Sequence, residues 1–146
     1  MFKLRQLNRC IVDVYTNDFL LGAKMTLQEL YQEIGGDYDQ AIRVLRMDKL
    51  VDKHIRKLTG NGVVTDLIDA GSRMDAEELF EKAHAAKGVC ANLGLMTLSG
   101  MASDIAEEFR PGDPRTMTDA EVQAKILDIE KLYKKTADGI TKYVEG

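Results

Sequence analysis

Apolar residues recur every three or four positions through most of the chain, which is the spacing of amphipathic α-helices. The first 24 residues are ambiguous, because their apolar spacing fits either a helix or a short strand. We expect a domain over residues 25–146, preceded by an N-terminal extension, residues 1–24, of unknown role. Within that domain the pattern predicts helices over 26–34, 37–58, 61–70, 75–93, 95–109 and 118–143, with a break in the second near Asp48.

Capping residues mark four of the predicted helix starts. In each case Thr or Asp is followed three positions later by Glu or Gln, a pattern that satisfies free N–H groups of the first helical turn. The four pairs are Thr26 with Glu29, Asp37 with Gln40, Asp75 with Glu78, and Thr118 with Glu121. Three helices are predicted to end at glycines, namely Gly35, Gly71 and Gly94.

The predicted buried faces indicate how the helices pack. Apolar residues of the last helix alternate four and three apart, which is typical of near-antiparallel helices. The connections are short, so consecutive helices are expected to be antiparallel neighbours. The sequence therefore predicts an all-α fold, an antiparallel up-down four-helix bundle with additional short N-terminal helices. On the second predicted helix the expected buried face comprises Val44, Met47, Val51, Ile55 and Leu58.

The composition argues against several classes of function. The chain has 146 residues and a net charge of −4 without a strongly basic stripe, which disfavours nucleic acid and anionic membranes as partners. No apolar run is long enough to span a membrane. The two cysteines, Cys10 and Cys90, are too few for a disulfide framework and are not spaced as metal ligands. We expect a cytoplasmic protein with free thiols.

The helix predicted over 75–93 carries two stripes of different character. The first has the spacing of a buried seam and comprises Leu79, Ala83, Ala86, Cys90 and Leu93. The second lies one position further on, about 100° round the helix, and should be reachable from solvent. It comprises Phe80, His84, Lys87, Gly88 and Ala91.

The second stripe contains residues that a purely structural helix would not need. Gly88 falls in the helix interior, where glycine costs about 1 kcal/mol relative to alanine. It lies one turn after His84 and leaves space in which another molecule could approach the imidazole. Lys87, on the same face, could reach an anion attached to the ring. Phe80, one turn before the histidine, is either an apolar contact for a partner or a residue at the edge of the core.

The spacing of His84, Lys87, Gly88 and Gly94 resembles the H-x-x-K-G-x-x-x-x-x-G motif of histidine-containing phosphotransfer domains. The resemblance implies a four-helix bundle that relays a phosphoryl group between receiver domains. It makes His84 the phospho-acceptor and Lys87 the cation that neutralises the phosphoryl oxygens. We expect Phe80, Gly88 and Ala91 to contact the docked partner. A neutral imidazole nitrogen can act as the nucleophile. The ordinary pKa of histidine is about 6.5, so much of the side chain is neutral near pH 7.

The resemblance also implies what the partner contributes. Receiver domains would bring the aspartate and Mg²⁺, so no cofactor and no metal is expected on this chain. The sequence lacks nucleotide-binding motifs, so we expect a phosphocarrier without its own ATP-dependent kinase activity. A monomer is the default expectation for a carrier that docks through one exposed face. Expected partners are response-regulator receiver domains, including those of a hybrid histidine kinase. The alternative is a helical-bundle adaptor that binds receiver-like partners without being phosphorylated. A metal or haem bundle is disfavoured, because His54 and His84 are the only histidines.

Overall fold

The computed structural model describes residues 24–146, and this part of the chain is all helical, without a strand. The predicted all-α class is confirmed. Apart from Lys24, the predicted N-terminal extension lies outside the described residues. The helices are α1 (Leu27–Ile34), α2 (Tyr38–Leu45), α3 (Asp48–Leu58), α4 (Val63–Arg73), α5 (Ala76–Asn92), α6 (Met96–Glu108) and α7 (Asp119–Glu145).

All four predicted capping residues begin helices. Thr26 and Thr118 form complete capping boxes, in which the hydroxyl accepts from the backbone N–H three residues on and the glutamate there accepts from the backbone N–H of the threonine. Asp37 and Asp75 accept from the backbone N–H three residues on. Each cap is worth about 1 kcal/mol, so these starts are fixed by local sequence.

The second predicted helix is two helices, and the break lies just before Asp48. Arg46 adopts a left-handed conformation with φ of 78°, and Met47 is the N-cap of α3. This break turns α2 relative to α3 and separates their apolar faces. The prediction of one continuous buried face was therefore wrong at its start, because Val44 and Met47 are 40% and 51% exposed. The remaining predicted residues of that face, Val51, Ile55 and Leu58, are fully buried.

The prediction that Gly71 ends a helix was also wrong. α4 continues past it to Arg73, and Gly71 is buried inside the helix. A Cβ at Gly71 would lie 2.9 Å from side-chain carbons of Ile126 on α7. The glycine at this position therefore lets two helices approach closely.

Four helices enclose most of the core. α4 contacts α5, α5 contacts α6, α6 contacts α7, and α7 contacts α4. The predicted buried seam of α5 faces into this ring, and its five residues are all buried. Within the described residues, no helix combines the length and the apolarity that crossing a membrane requires.

The short helices pack on the ring at the end where α5 turns into α6. α1 contacts α7, where the side chain of Ile34 lies against Gly139. A Cβ at Gly139 would lie 2.5 Å from the Cγ2 atom of Ile34. Lys142 of α7 forms an ion pair with Glu33 of α1 at 3.0 Å. α2 contacts α3 and α5, and α3 contacts α7.

The turn after α5 is clamped to the turn between α1 and α2. The backbone N–H of Asp37 donates to the carbonyl of Gly94 at 2.7 Å, and the Tyr31 hydroxyl donates to the carbonyl of Leu93 at 2.7 Å. Gly94 has φ of 73°, and a Cβ there would lie 2.0 Å from the carbonyl oxygen of Asp37. Only glycine fits this position, so the end of α5 is held in one place.

Candidate functional site

The second stripe of α5 lies at the surface, which confirms its predicted accessibility. His84 stands near the middle of this 17-residue helix and is exposed, as is Gly88. Phe80, Lys87 and Ala91 are partly buried at the margins of the same face. The fold thus brings all five predicted site residues onto one accessible surface, while their functional roles stay predictions.

The imidazole of His84 is stacked on the ring of Phe80. The ring centroids are 5.8 Å apart and the planes differ by 20°. Within residues 24–146, neither ring nitrogen of His84 takes part in a hydrogen bond or an ion pair. The stacking favours one orientation of the ring and leaves its nitrogens available to another molecule.

Lys87 adds a positive charge beside this histidine. Among the described residues no carboxylate forms an ion pair with it. Its charge acts on Glu107 of α6: the pKa of Glu107 is lowered mainly by a hydrogen bond from Arg110, and also by the field of Lys87. The carbonyl of Lys87 accepts from the Ser99 hydroxyl at 2.9 Å, which ties α5 to α6 beside the site. Within the described residues, the Lys87 ammonium therefore carries its charge without a direct ionic partner.

Gly88 opens the surface next to the histidine. A Cβ at this position would meet nothing within 4 Å. Packing within the described chain therefore does not require a glycine, in contrast to Gly94. At Gly88 the helix therefore carries a residue of poor helix propensity that no contact within residues 24–146 requires.

A cleft of about 450 Å³ adjoins the Phe80 side of the stripe. Its floor is largely apolar and its rim carries two glutamates. The lining residues are Ala76, Glu77, Phe80, Glu81, Phe109 and Pro111. This cleft could not be predicted from the sequence, in which Phe109 indicates a core residue and Pro111 the end of a helix. No periodic signal in the sequence indicates that these two residues meet Phe80.

The loop that forms one wall of this cleft is held by a buried carboxylate. Glu108 accepts from the hydroxyl of Thr116, from the backbone N–H groups of Met117 and Thr116, and from the guanidinium of Arg115. These hydrogen bonds, that of the Thr116 hydroxyl first, lower the pKa of Glu108 to about 2. The Arg115 guanidinium also lies over the ring of Phe109, 4.5 Å from its centroid. The surface beside Phe80 is thus fixed by the fold.

The remaining cysteine and histidine of the described region lie away from this site. Cys90 is buried in the seam of α5, and burial raises the pKa of its thiol to about 12. His54 is exposed on α3. Residues 24–146 contain no group of three or more His, Cys, Asp or Glu side chains placed to hold a metal ion.

No protein-family model matches the chain, and neither a curated protein nor a solved structure matches it. Its function must therefore be inferred from its own residues.

Proposed function

We propose that the chain is a phosphorelay intermediate. It accepts a phosphoryl group on His84 from the aspartyl phosphate of one receiver domain and passes it to another. The proposal rests on one observation, the exposed imidazole near the middle of α5 with Phe80 stacked on it. Within residues 24–146, the neighbouring Lys87 has no carboxylate partner and nothing lies over Gly88. This surface differs from the buried seam of α5, which faces the core.

The proposal includes the arrangement of the helices. α4, α5, α6 and α7 form an antiparallel up-down four-helix bundle, and the short helices α1 to α3 cover one end. The closed ring of contacts among α4, α5, α6 and α7 supports this arrangement. So does the bond from Ser99 to Lys87, which joins residues on either side of the tight turn at Gly94.

The chemistry requires a nucleophile, a correctly placed phosphoryl group and positive charge. The lone pair of an unprotonated His84 nitrogen forms the P–N bond while the bond from phosphorus to the aspartyl oxygen breaks. The aspartate leaves with the electron pair as a carboxylate, and the reverse sequence loads the second receiver. Lys87 stabilises the negative charge on the phosphoryl oxygens, which is where most of the catalytic effect in such transfers arises. The receiver supplies the aspartate and Mg²⁺, and this chain needs no cofactor.

The docking surface follows the stripe. Gly88 and Ala91 carry little or no side chain, so a receiver can bring its aspartyl phosphate within bonding distance of His84. Phe80 and the adjoining cleft offer an apolar contact next to the reacting atoms. Because a relay partner must leave after each transfer, we expect a small interface, below about 1,200 Å² in total.

The proposal fixes the kind of partner and the setting. The partners are response-regulator receiver domains, including those of a hybrid histidine kinase, and neither nucleic acid nor a membrane is bound. The chain acts as a monomer in the cytoplasm. It has no ATP-dependent kinase activity of its own and works as a phosphocarrier.

The decisive experiment measures transfer from phosphorylated receiver domains to the purified chain. Intact mass should show the addition of one phosphoryl group, and mild acid should remove it, as expected for a phosphohistidine. The adduct should disappear in His84→Gln. It should persist in His54→Gln, which replaces the other histidine, an exposed residue of α3. Absence of any adduct on folded protein with several receivers would overturn the proposal. A different result would support the alternative, a helical-bundle adaptor that binds receiver-like partners without being phosphorylated. In that case the unmodified chain would show no transfer, and His84→Gln would still bind the receiver.

A further inference from the structure

A second cleft lies on another flank of α5, where this helix meets α2, α3 and the turn before α4. Its volume is about 330 Å³, near the lower end of the range for small-molecule sites. Val89 lines it and follows His84 by five residues, which places the two side chains about 140° apart round the helix. None of the five residues of the stripe around His84 lines this cleft. Leu45, Val89 and Leu93 form its apolar floor, and His54, Lys57, Asn61 and Asn92 form its rim.

The rim of this cleft presents hydrogen-bond donors and no carboxylate. Within residues 24–146, neither His54 nor Lys57 forms an ion pair. The side-chain oxygen of Asn61 already accepts from the backbone N–H of Val63 at 3.0 Å, so its amide nitrogen is the end left to donate. In contrast, glutamates line the cleft beside Phe80. The two clefts thus differ in the charge that they can accept.

The surroundings strengthen this positive character. Between residues 43 and 57 the sequence has six lysines and arginines against two aspartates, although the whole chain carries −4. Arg56 is paired with Asp52, which leaves Lys57 as the cation that faces the cleft. An anion at this position would meet a locally positive field.

We infer that this cleft binds a small organic carboxylate. The apolar body of the ligand, an aromatic ring or a short aliphatic chain, rests on Leu45, Val89 and Leu93. Its carboxylate turns towards Lys57 and His54, where charge-assisted hydrogen bonds are stronger than neutral ones. The apolar floor selects against inorganic anions, and the basic rim selects against amines and alcohols of the same shape. This inference does not depend on phosphoryl transfer by His84.

The test is a titration of the ¹⁵N-labelled full chain with three probes of one shape: 4-phenylbutyrate, 4-phenylbutanol and 4-phenylbutylamine. The carboxylate should shift the amide signals of Leu45, Val89 and Leu93. The alcohol and the amine should bind at least about tenfold more weakly, because they lack the charge-assisted contact. Equal binding of all three probes, or shifts scattered over the surface, would overturn the inference.

Matched variants locate the carboxylate. The double variant His54→Gln, Lys57→Gln should weaken binding of 4-phenylbutyrate at least about tenfold. Lys131→Gln removes the same charge from an exposed position of α7 and should leave binding unchanged. If the double variant binds as tightly as the unmodified chain, the rim does not recognise the anion and the inference fails.

Discussion

Replacing Gly88 with alanine should stabilise the protein and slow phosphoryl transfer. Alanine is favoured over glycine in a helix interior by about 0.8–1 kcal/mol. Because the new methyl group would meet no atom of residues 24–146 within 4 Å, we expect no steric cost to reduce this gain. We therefore expect the free energy of unfolding to rise by about 1 kcal/mol, which raises Tm by about 3–5 °C for a domain of this size.

The same methyl group should obstruct the docked receiver. It would stand one helical turn, about 6 Å along the axis, from His84. A methyl group forced into a closely packed contact costs about 1 kcal/mol or more. If that cost adds to the activation free energy of transfer, the rate falls about fivefold or more. Gly88→Leu should slow it further while leaving the fold intact.

Gly100→Ala is the matched control. Gly100 lies in the interior of α6, is exposed, and would also direct a Cβ into space empty within 4 Å. This variant should gain the same stability and transfer at the normal rate. Urea unfolding gives the stabilities, and a time course of phosphohistidine formation gives the rates. If Gly88→Ala is stabilised but transfers at the normal rate, Gly88 has no role in docking the receiver. If Gly88→Ala is destabilised, the space above Gly88 is not open.

Three further predictions concern the fold that supports the site. Gly94→Ala should lower the free energy of unfolding, measured in urea, by at least about 2 kcal/mol. The left-handed backbone of Gly94 and the carbonyl oxygen of Asp37, 2.0 Å from a Cβ at this position, exclude a side chain. A loss below about 0.5 kcal/mol would contradict the tight contact between the turn after α5 and the turn between α1 and α2. The pKa of Glu108 is lowered to about 2 by hydrogen bonds from the loop after α6, so its stabilising effect is complete above about pH 4.3 and is lost as the pH falls towards 2. Stability should therefore depend less on pH between 5 and 3 in Glu108→Gln, and an unchanged dependence would count against the anchor. In a Cys10→Ser variant, Cys90 should react with a disulfide reagent only after unfolding, because burial raises the pKa of its thiol to about 12; rapid reaction of the native protein would contradict its burial.

Features set by neighbouring residues could be predicted from the sequence. The capping residues Thr26, Asp37, Asp75 and Thr118 begin helices because their side chains bond the next turn of the same segment. The seam of α5 was found because helical periodicity alone decides which residues share a face. The break before Asp48 was predicted, but its effect on Val44 and Met47 was not, because the left-handed conformation of Arg46 has no local signature comparable to that of glycine.

The environments of three glycines could not be predicted from the sequence. Gly71 and Gly94 were both predicted to end a helix, and Gly88 to lie in a helix interior. One makes room for Ile126 of α7, one faces open space, and one lies under the backbone of Asp37. These differences depend on elements far away in the sequence. For the same reason the cleft beside Phe80 could not be predicted, whereas the exposure of His84 could.

The packing of α1 on the last turns of α7 sets the order in which the chain can be completed during synthesis. Leu30 and Ile34 are buried, and both lie beside Gly139 of α7. More than about 100 residues separate them from that position, so at about 5–20 residues per second the ribosome needs about 5–20 s to make the partner of α1. The contacts of Leu30 and Ile34 with α7 therefore cannot form until the end of the chain has been made.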